Sequence, residues 1–351
     1  MNSKHEKAAH DSVLLDEAVE ALVINPDGIY IDCTFGRGGH SRAVLSMLSD
    51  KGRLMAFDKD PQAIKEGQAL EQEDARFEII HESFSLLEQK VSDKELVGNI
   101  DGIMMDLGVS SPQLDQAERG FSFMQDGPLD MRMDTTRGQT AAEWIAQTDE
   151  EDMVWAFKTF GEERYAKRIA RAIIEKRQKA SITRTLELAA IIKEAHPRWE
   201  KHKHPATRCF QAIRIAVNRE LDDLKDTLEQ SLNCLKVGGR LVAISFHSLE
   251  DRMVKRFIQK QEKGQDFPPG LPVTEDMINR RMKKVGKFTK AGDQELERNN
   301  RARSAVMRVA EKISWAQAKI APLRKRLKKP TAYGLFIVWL QFLADALVWC
   351  C

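Results

Sequence analysis

Two hydrophobic rhythms alternate along the first third of the chain. Ile29–Asp32, Leu54–Asp58, Phe77–His81 and Ile103–Leu107 are short runs rich in branched and aromatic residues, bounded by polar residues and glycine. Such runs predict strands, because those side chains pack well on a pleated surface. Between them lie segments, beginning near Gly39 and near Pro61, where apolar residues recur every three or four positions, the period of a helix. Strands separated by helices imply right-handed crossovers and a parallel sheet, with ligands expected at the carboxyl ends of the strands.

The alternation stops at Glu118 and gives way to helical patterns over Ala141–Phe160, Glu163–Arg177 and Thr185–Ala195, the mark of an inserted helical subdomain. It resumes with one long amphipathic helix from about Thr207 to Leu235, a turn at Gly238-Gly239 and a strand over Arg240–Ser245. A last strand, Ser304–Val309, follows a basic, loop-rich stretch. The expected organisation is therefore a discontinuous α/β core over 8–117 and 204–312, a helical substrate-recognition subdomain over 118–203, and an atypical tail over 313–351. In the tail a basic run precedes an apolar stretch from Tyr333 to Cys351. Its nine Leu, Ile, Val and Phe residues favour membrane insertion by roughly 3–5 kcal/mol, and Asp345 alone opposes it by about 3. A membrane contact through this tail is thus less favoured than an amphipathic packing helix.

A chain of 351 residues, 42% of them hydrophobic, has material for a large core. Its net charge of +2 conceals a strong asymmetry: residues 158–220 carry 16 Lys and Arg against 7 Asp and Glu, residues 251–330 carry 22 against 9, and the remainder sums to −20. Clustered Lys and Arg attract phosphate backbones whatever the base sequence, so two basic stretches on an otherwise acidic chain point to a polyanion partner. The five cysteines form no C-x-x-C pair, and Met1–His10 has no apolar core of a secretory signal, so the expected compartment is the reducing cytoplasm.

The strongest local signal is Asp32-Cys33-Thr34-Phe35-Gly36-Arg37-Gly38-Gly39-His40-Ser41, where the first strand turns into the first helix of the alternating region. Glycines let backbone approach a ligand closely. Asp58 ends the next strand, where a carboxylate can accept hydrogen bonds from both hydroxyls of a ribose. Together they imply a nucleoside cofactor, and the spacing, with Ser41 at the third small position, suits a nicotinamide dinucleotide as well as S-adenosylmethionine. The fourth strand discriminates further. It ends in Asp106-Leu107-Gly108-Val109-Ser110-Ser111-Pro112-Gln113, a polar cluster suited to holding an amine. His196, His202, His204 and Cys209 fit no standard zinc spacing, so no metal is expected.

At this point seven segments in order resemble one family: His10 to Leu15, FGRGGHS, DLGVSSPQLD, Arg119 to Phe123, Gly127 to Asp134, His204 to Arg208 and Ser245 to Asp251. The chain is similar over roughly residues 8–312 to the small-subunit ribosomal RNA cytosine-N4 methyltransferase family RsmH (MraW). The resemblance implies a doubly wound, Rossmann-like class I core with an inserted all-helical subdomain. It implies S-adenosyl-L-methionine as cofactor, 16S rRNA in the small ribosomal subunit as partner, and N4 of a cytosine in the decoding region as target. It further implies that Gly38, Gly39 and His40 line the methionine side of the cofactor, that Asp58 holds the ribose, that Phe84 lies beside the adenine, and that Asp106 and Gln113 complete the pocket.

Catalysis is expected from Asp106 and Ser111. The lone pair of a cytosine N4 is delocalised into the ring, so methyl transfer needs acceptors that hold the amine hydrogens in a nucleophilic geometry. Other amino-methyltransferases follow this position with Pro-Pro and an aromatic; here Ser111-Pro112 is followed by Gln113, which leaves the hydrogen-bond acceptor and the stacking partner open, with Phe121 and Phe123 as candidates for stacking. Arg164, Lys167, Arg168 and Arg171, on helical spacing, would position RNA. His247, just past the fifth strand, suits an active-site neighbour, an RNA contact or packing. A monomer and a homodimer both fit, as do three rival readings: a DNA cytosine-N4 or adenine-N6 methyltransferase, a non-catalytic RNA-binding protein and a dehydrogenase.

Overall fold

The computed structural model describes residues 12–198, 204–265 and 278–314. One seven-stranded sheet organises it, with strands β1 (Ile29–Asp32), β2 (Arg53–Asp58), β3 (Phe77–His81), β4 (Ile100–Asp106), β5 (Leu235–Ser245), β6 (Met282–Lys284) and β7 (Val306–Lys312) in the spatial order β3-β2-β1-β4-β5-β7-β6. The first five run parallel; β7 returns antiparallel to β5 and β6 antiparallel to β7. The strand order reverses beside β1, between β1 and β4. This is the switch point where a doubly wound sheet opens a crevice for ligand.

Both sheet faces are covered. Tyr30, Leu54, Met104, Val242 and Ile244 point to one side, against α1 (Leu15–Leu22), α2 (Gly39–Met47) and α3 (Pro61–Glu73). Their strand neighbours Ile31, Met55, Ile103, Met105, Leu241 and Ala243 point to the other, against α4 (Leu87–Ser92), α11 (Glu220–Cys234) and α12 (Ser248–Lys263). Alternation of side chains along each strand explains why these runs are apolar throughout: a central strand with two dry faces has no polar side.

Between β4 and β5 the chain builds a separate hydrophobic cluster. It starts with the short α5 (Ser111–Asp115) and continues through α6 (Ala141–Gln147), α7 (Glu150–Thr159), α8 (Ala166–Arg177) and α9 (Thr185–Ala195) into α10 (Ala206–Asn218). Thr140 caps α6, with Glu143 reaching back to the cap, and Asp149 caps α7. The cap at Asp149 divides the single pattern 141–160 into two helices, since its side chain satisfies a backbone N–H that would otherwise be orphaned.

Three further expectations change. The predicted helix 207–235 is two helices, broken at Arg219, whose φ of 54° leaves the right-handed region. The break is fixed from outside: Asn218 accepts from Met133 N and donates to the Met131 carbonyl, while Lys59 donates to the Asn218 carbonyl. The fifth strand begins at Leu235, before the glycines, with a shift in register opposite Ile100–Gly102. The last strand lies two to three residues later than predicted, and α13 (Asp293–Arg298) and a short turn over Asn300–Ser304 precede it. The apolar tail, His10 and His202 lie outside the described residues.

Candidate active site at the switch point

Asp32, at the end of β1, is buried and organises the turn that follows. Its Oδ1 accepts from Thr34 N at 3.0 Å and its Oδ2 from Ser41 Oγ at 2.7 Å, so the residue at the third small position of the turn is a tether. Thr34 Oγ1 in turn accepts from Asp106 N at 2.6 Å, joining the ends of β1 and β4. Gly36 and Gly38 adopt φ of 57° and 76°, which a side chain would strain. A Cβ at Gly39 would fall 1.9 Å from Ser12 Oγ, so no larger residue fits there.

The turn covers one end of a cavity of about 380 Å³, within the range of small-molecule sites. Gly39, His40, Asp58, Phe84, Asp106, Ser111 and Gln113 all line it. Gly38 does not; it packs against the ring of Phe35 and acts through the backbone shape of the turn. Asp58, at the tip of β2, accepts from Gly36 N at 2.8 Å and from Asp60 N at 2.9 Å. Burial pushes its carboxyl up to about 6 despite those bonds. Each carboxylate oxygen has a second lone pair, so two hydroxyls can still be accepted. Phe84 is half-buried, with Lys59 Nζ 6.0 Å from its ring centre.

Asp106 is the most informative residue of the cavity. Its Oδ1 is buried with no hydrogen-bond partner among the described residues, and its Oδ2 lies 3.7 Å from His40 Nδ1. Burial drives its carboxyl up to about 6, opposed by His40 and reinforced by Asp32 and Glu250. His40 Nε2 lies 3.1 Å from the Val13 carbonyl, which can only accept. Nε2 therefore donates there, and Nδ1 faces Asp106.

Ser110 and Ser111 sit at the start of α5, Ser110 as its cap and Ser111 as its first residue. Gln113 has both ends of its amide engaged: Oε1 accepts from Ser110 N at 3.0 Å and Nε2 donates to Asp60 Oδ2 at 2.8 Å. It braces the wall more than it offers a free group. Asp60 also binds Arg119 Nη1 at 2.7 Å, and Arg119 Nη2 donates to the carbonyls of Arg132 and Met133. This buried node joins the turn after β2 to the helical insertion. Neither Asp60 nor the role of Arg119 was expected from the sequence, although Asp60-Pro61 is a helix-start signal, with Asp60 capping α3. Phe121 lies in the insertion core and Phe123 packs between His204 and Phe210, so neither is placed to stack on a base. No three His, Cys, Asp or Glu side chains converge on a metal site among the described residues.

An orphaned carboxylate oxygen, a second buried carboxylate with lone pairs to spare and a glycine turn thus share one cavity, and the same segments carry the match to a known family. The sequence description of the MraW methylase family matches residues 7–313. The chain belongs to the MraW methylase family. This MraW-family chain is accordingly a methyltransferase with S-adenosyl-L-methionine as its methyl donor. Its fold resembles an rRNA methylase from Streptococcus thermophilus (13% identity, 88% of this chain and 100% of that chain, TM-score 0.38). It also resembles a SAM-dependent O-methyltransferase from Thermotoga maritima (10%, 87% and 68%, 0.37) and Aeropyrum pernix fibrillarin with natively bound S-adenosyl-L-methionine (9%, 84% and 73%, 0.36).

Proposed function

We propose that the protein methylates the exocyclic N4 of a cytosine in the decoding region of 16S rRNA, acting in the cytoplasm on the small ribosomal subunit. The observation that carries the reading is Asp106 Oδ1, a buried acceptor without a partner at the end of the strand nearest the switch point. Such an atom costs free energy unless a ligand donor completes it.

In this reading Asp58 holds the ribose, Phe84 the adenine, and Gly38, Gly39 and His40 the methionine side, with Gln113 bracing the wall between them. The bound donor supplies an electrophilic methyl group on a sulfonium. Asp106 and Ser111 accept the amine hydrogens and turn the nitrogen lone pair towards that carbon. As the new C–N bond forms and the C–S bond breaks, the amine sheds one proton, which Asp106 takes as a carboxylate. No charge has to be created in the site, so in-line positioning supplies much of the acceleration. The core over 8–117 and 204–312 holds the donor, and the insertion over 118–203 grips RNA through the exposed Arg164, Lys167, Arg168 and Arg171 of the α8 region. A target base must leave its stack to reach Asp106.

Tritiated methyl transfer to 30S particles, free rRNA and DNA, followed by mass spectrometry of the nucleosides, tests the assignment. N4-methylcytidine from 30S particles, lost in Asp106→Ala, is the expected product; a preference for DNA overturns the substrate.

A further inference from the structure

Part of the cavity wall carries charge that neither donor binding nor the Asp106 chemistry uses. Asp106 pairs in register with Ile244, so His247 and Glu250, just beyond β5, flank the reacting end of the cavity. Arg214 from α10 and Glu220 from α11 line the same space. Arg214 Nε and Nη2 each donate to one Glu220 oxygen at 2.8 Å, with side chains only 14% and 9% exposed. Glu250, almost fully buried, accepts from Phe246 N and His247 N and lies close enough to act electrostatically on both Arg214 and Asp106.

A buried ion pair is a weak source of stability, because desolvation cancels most of its attraction. This one does stitch α10 to α11 across the break at Arg219, but that alone does not require it to face a ligand cavity. Arg214 Nη1 makes no hydrogen bond among the described residues, and as part of a guanidinium it can only donate. The cavity therefore offers an acceptor, Asp106, and a fixed donor, Arg214. Cytosine presents the complement: a donor amine at C4 beside two acceptors, N3 and O2. Adenine has the amine and one acceptor, N1, but a C–H where cytosine has O2. Uracil would set its O4 against the carboxylate.

We infer that Arg214, locked by Glu220, donates to the N3–O2 edge of the target base and so selects cytosine over adenine. The assignment rests on the methyltransferase reading above and adds the residue that reads the base. Two changes test it. Arg214→Lys keeps the charge beside Glu220 but loses the fork. The double change Arg214→Met with Glu220→Met leaves neither member of the pair as a lone buried charge.

Three quantities are measured for each: calorimetric affinity for S-adenosylhomocysteine, kcat/KM for N4-methylcytidine formation in 30S particles lacking the mark, and binding of cytidine against adenosine monophosphate to the S-adenosylhomocysteine complex. Losing a charge-assisted hydrogen bond lowers kcat/KM about 10- to 100-fold. The cytidine preference should vanish in the double variant, and the affinity of Arg214→Lys for S-adenosylhomocysteine should stay within twofold. Retention of cytidine preference with kcat/KM within threefold in both variants sinks the inference. A parallel loss of S-adenosylhomocysteine affinity in Arg214→Lys also sinks it, by placing Arg214 on the donor. If the unaltered protein makes no N4-methylcytidine in 30S particles, the substrate reading itself fails and this inference with it.

Discussion

In the proposed role, Asp106 sets function against stability. Its carboxyl titrates near 6, above the ordinary carboxylate value, because burial disfavours the charged form. The folded chain thus binds this proton more tightly than the unfolded chain does. Stability falls as pH rises from about 4 to about 6, and the full cost is present at neutral pH. The residue is a quarter exposed, and solvent screening limits that cost to about 1–2 kcal/mol. Asp106→Asn should therefore raise the melting temperature at pH 7.5, with the gain shrinking towards pH 4, while methyl transfer falls at least 100-fold. Melting curves at the two pH values check the sign. Residues of this kind were legible in the sequence because strand ends fix their position: Asp32, Asp58 and Asp106 each close a strand. The bracing residues were not. Asp60 and Arg119, or Lys59 and Asp223, meet across 59 and 164 positions, and no local period reports such a pairing.

At the scale of elements, hydrophobic period marks which segments are helical and misses where they stop. The apolar stripe runs from α10 into α11 without interruption, since both helices bury a face, in different clusters. What separates them is a backbone turn at Arg219 imposed by Asn218 and its partners. A side chain in the left-handed region costs about 1–2 kcal/mol, and that of Arg219 is 72% exposed, with a 3.7 Å contact to Asp222. Arg219→Gly should consequently stabilise the protein by about 0.5–1 kcal/mol after the greater chain entropy of glycine is subtracted, and Arg219→Val should destabilise it by more than 1. Urea denaturation distinguishes the two signs; a destabilised glycine variant would mean that the Arg219 side chain, and not the backbone turn, holds the corner. The edge strand β6 escaped the pattern for a different reason: Met-Lys-Lys has one buried side chain and no alternation to detect.

For the whole molecule the decisive property is where the charge lies. Arg164, Lys167, Arg168 and Arg171 are exposed on the insertion, and Arg171 is already partnered by Glu150 at 2.9 Å. The buried node of Asp60, Gln113 and Arg119 ties that insertion to the wall of the cavity, so a phosphate backbone bound as proposed on the basic face would be held at a fixed distance from Asp106. Such contacts set affinity without reading sequence. Replacing Arg164, Lys167 and Arg168 together by Gln should raise KM for ribosomal RNA roughly tenfold at physiological salt and leave S-adenosylhomocysteine affinity unchanged. The slope of log affinity against log salt should fall by just under one for each phosphate that is no longer neutralised. Arg171→Gln, which removes a charge already neutralised by a neighbour, should change that slope far less. An unchanged slope in the triple variant would move the RNA to the other basic stretch, around α12 and β6, and with it the direction from which the base enters the cavity.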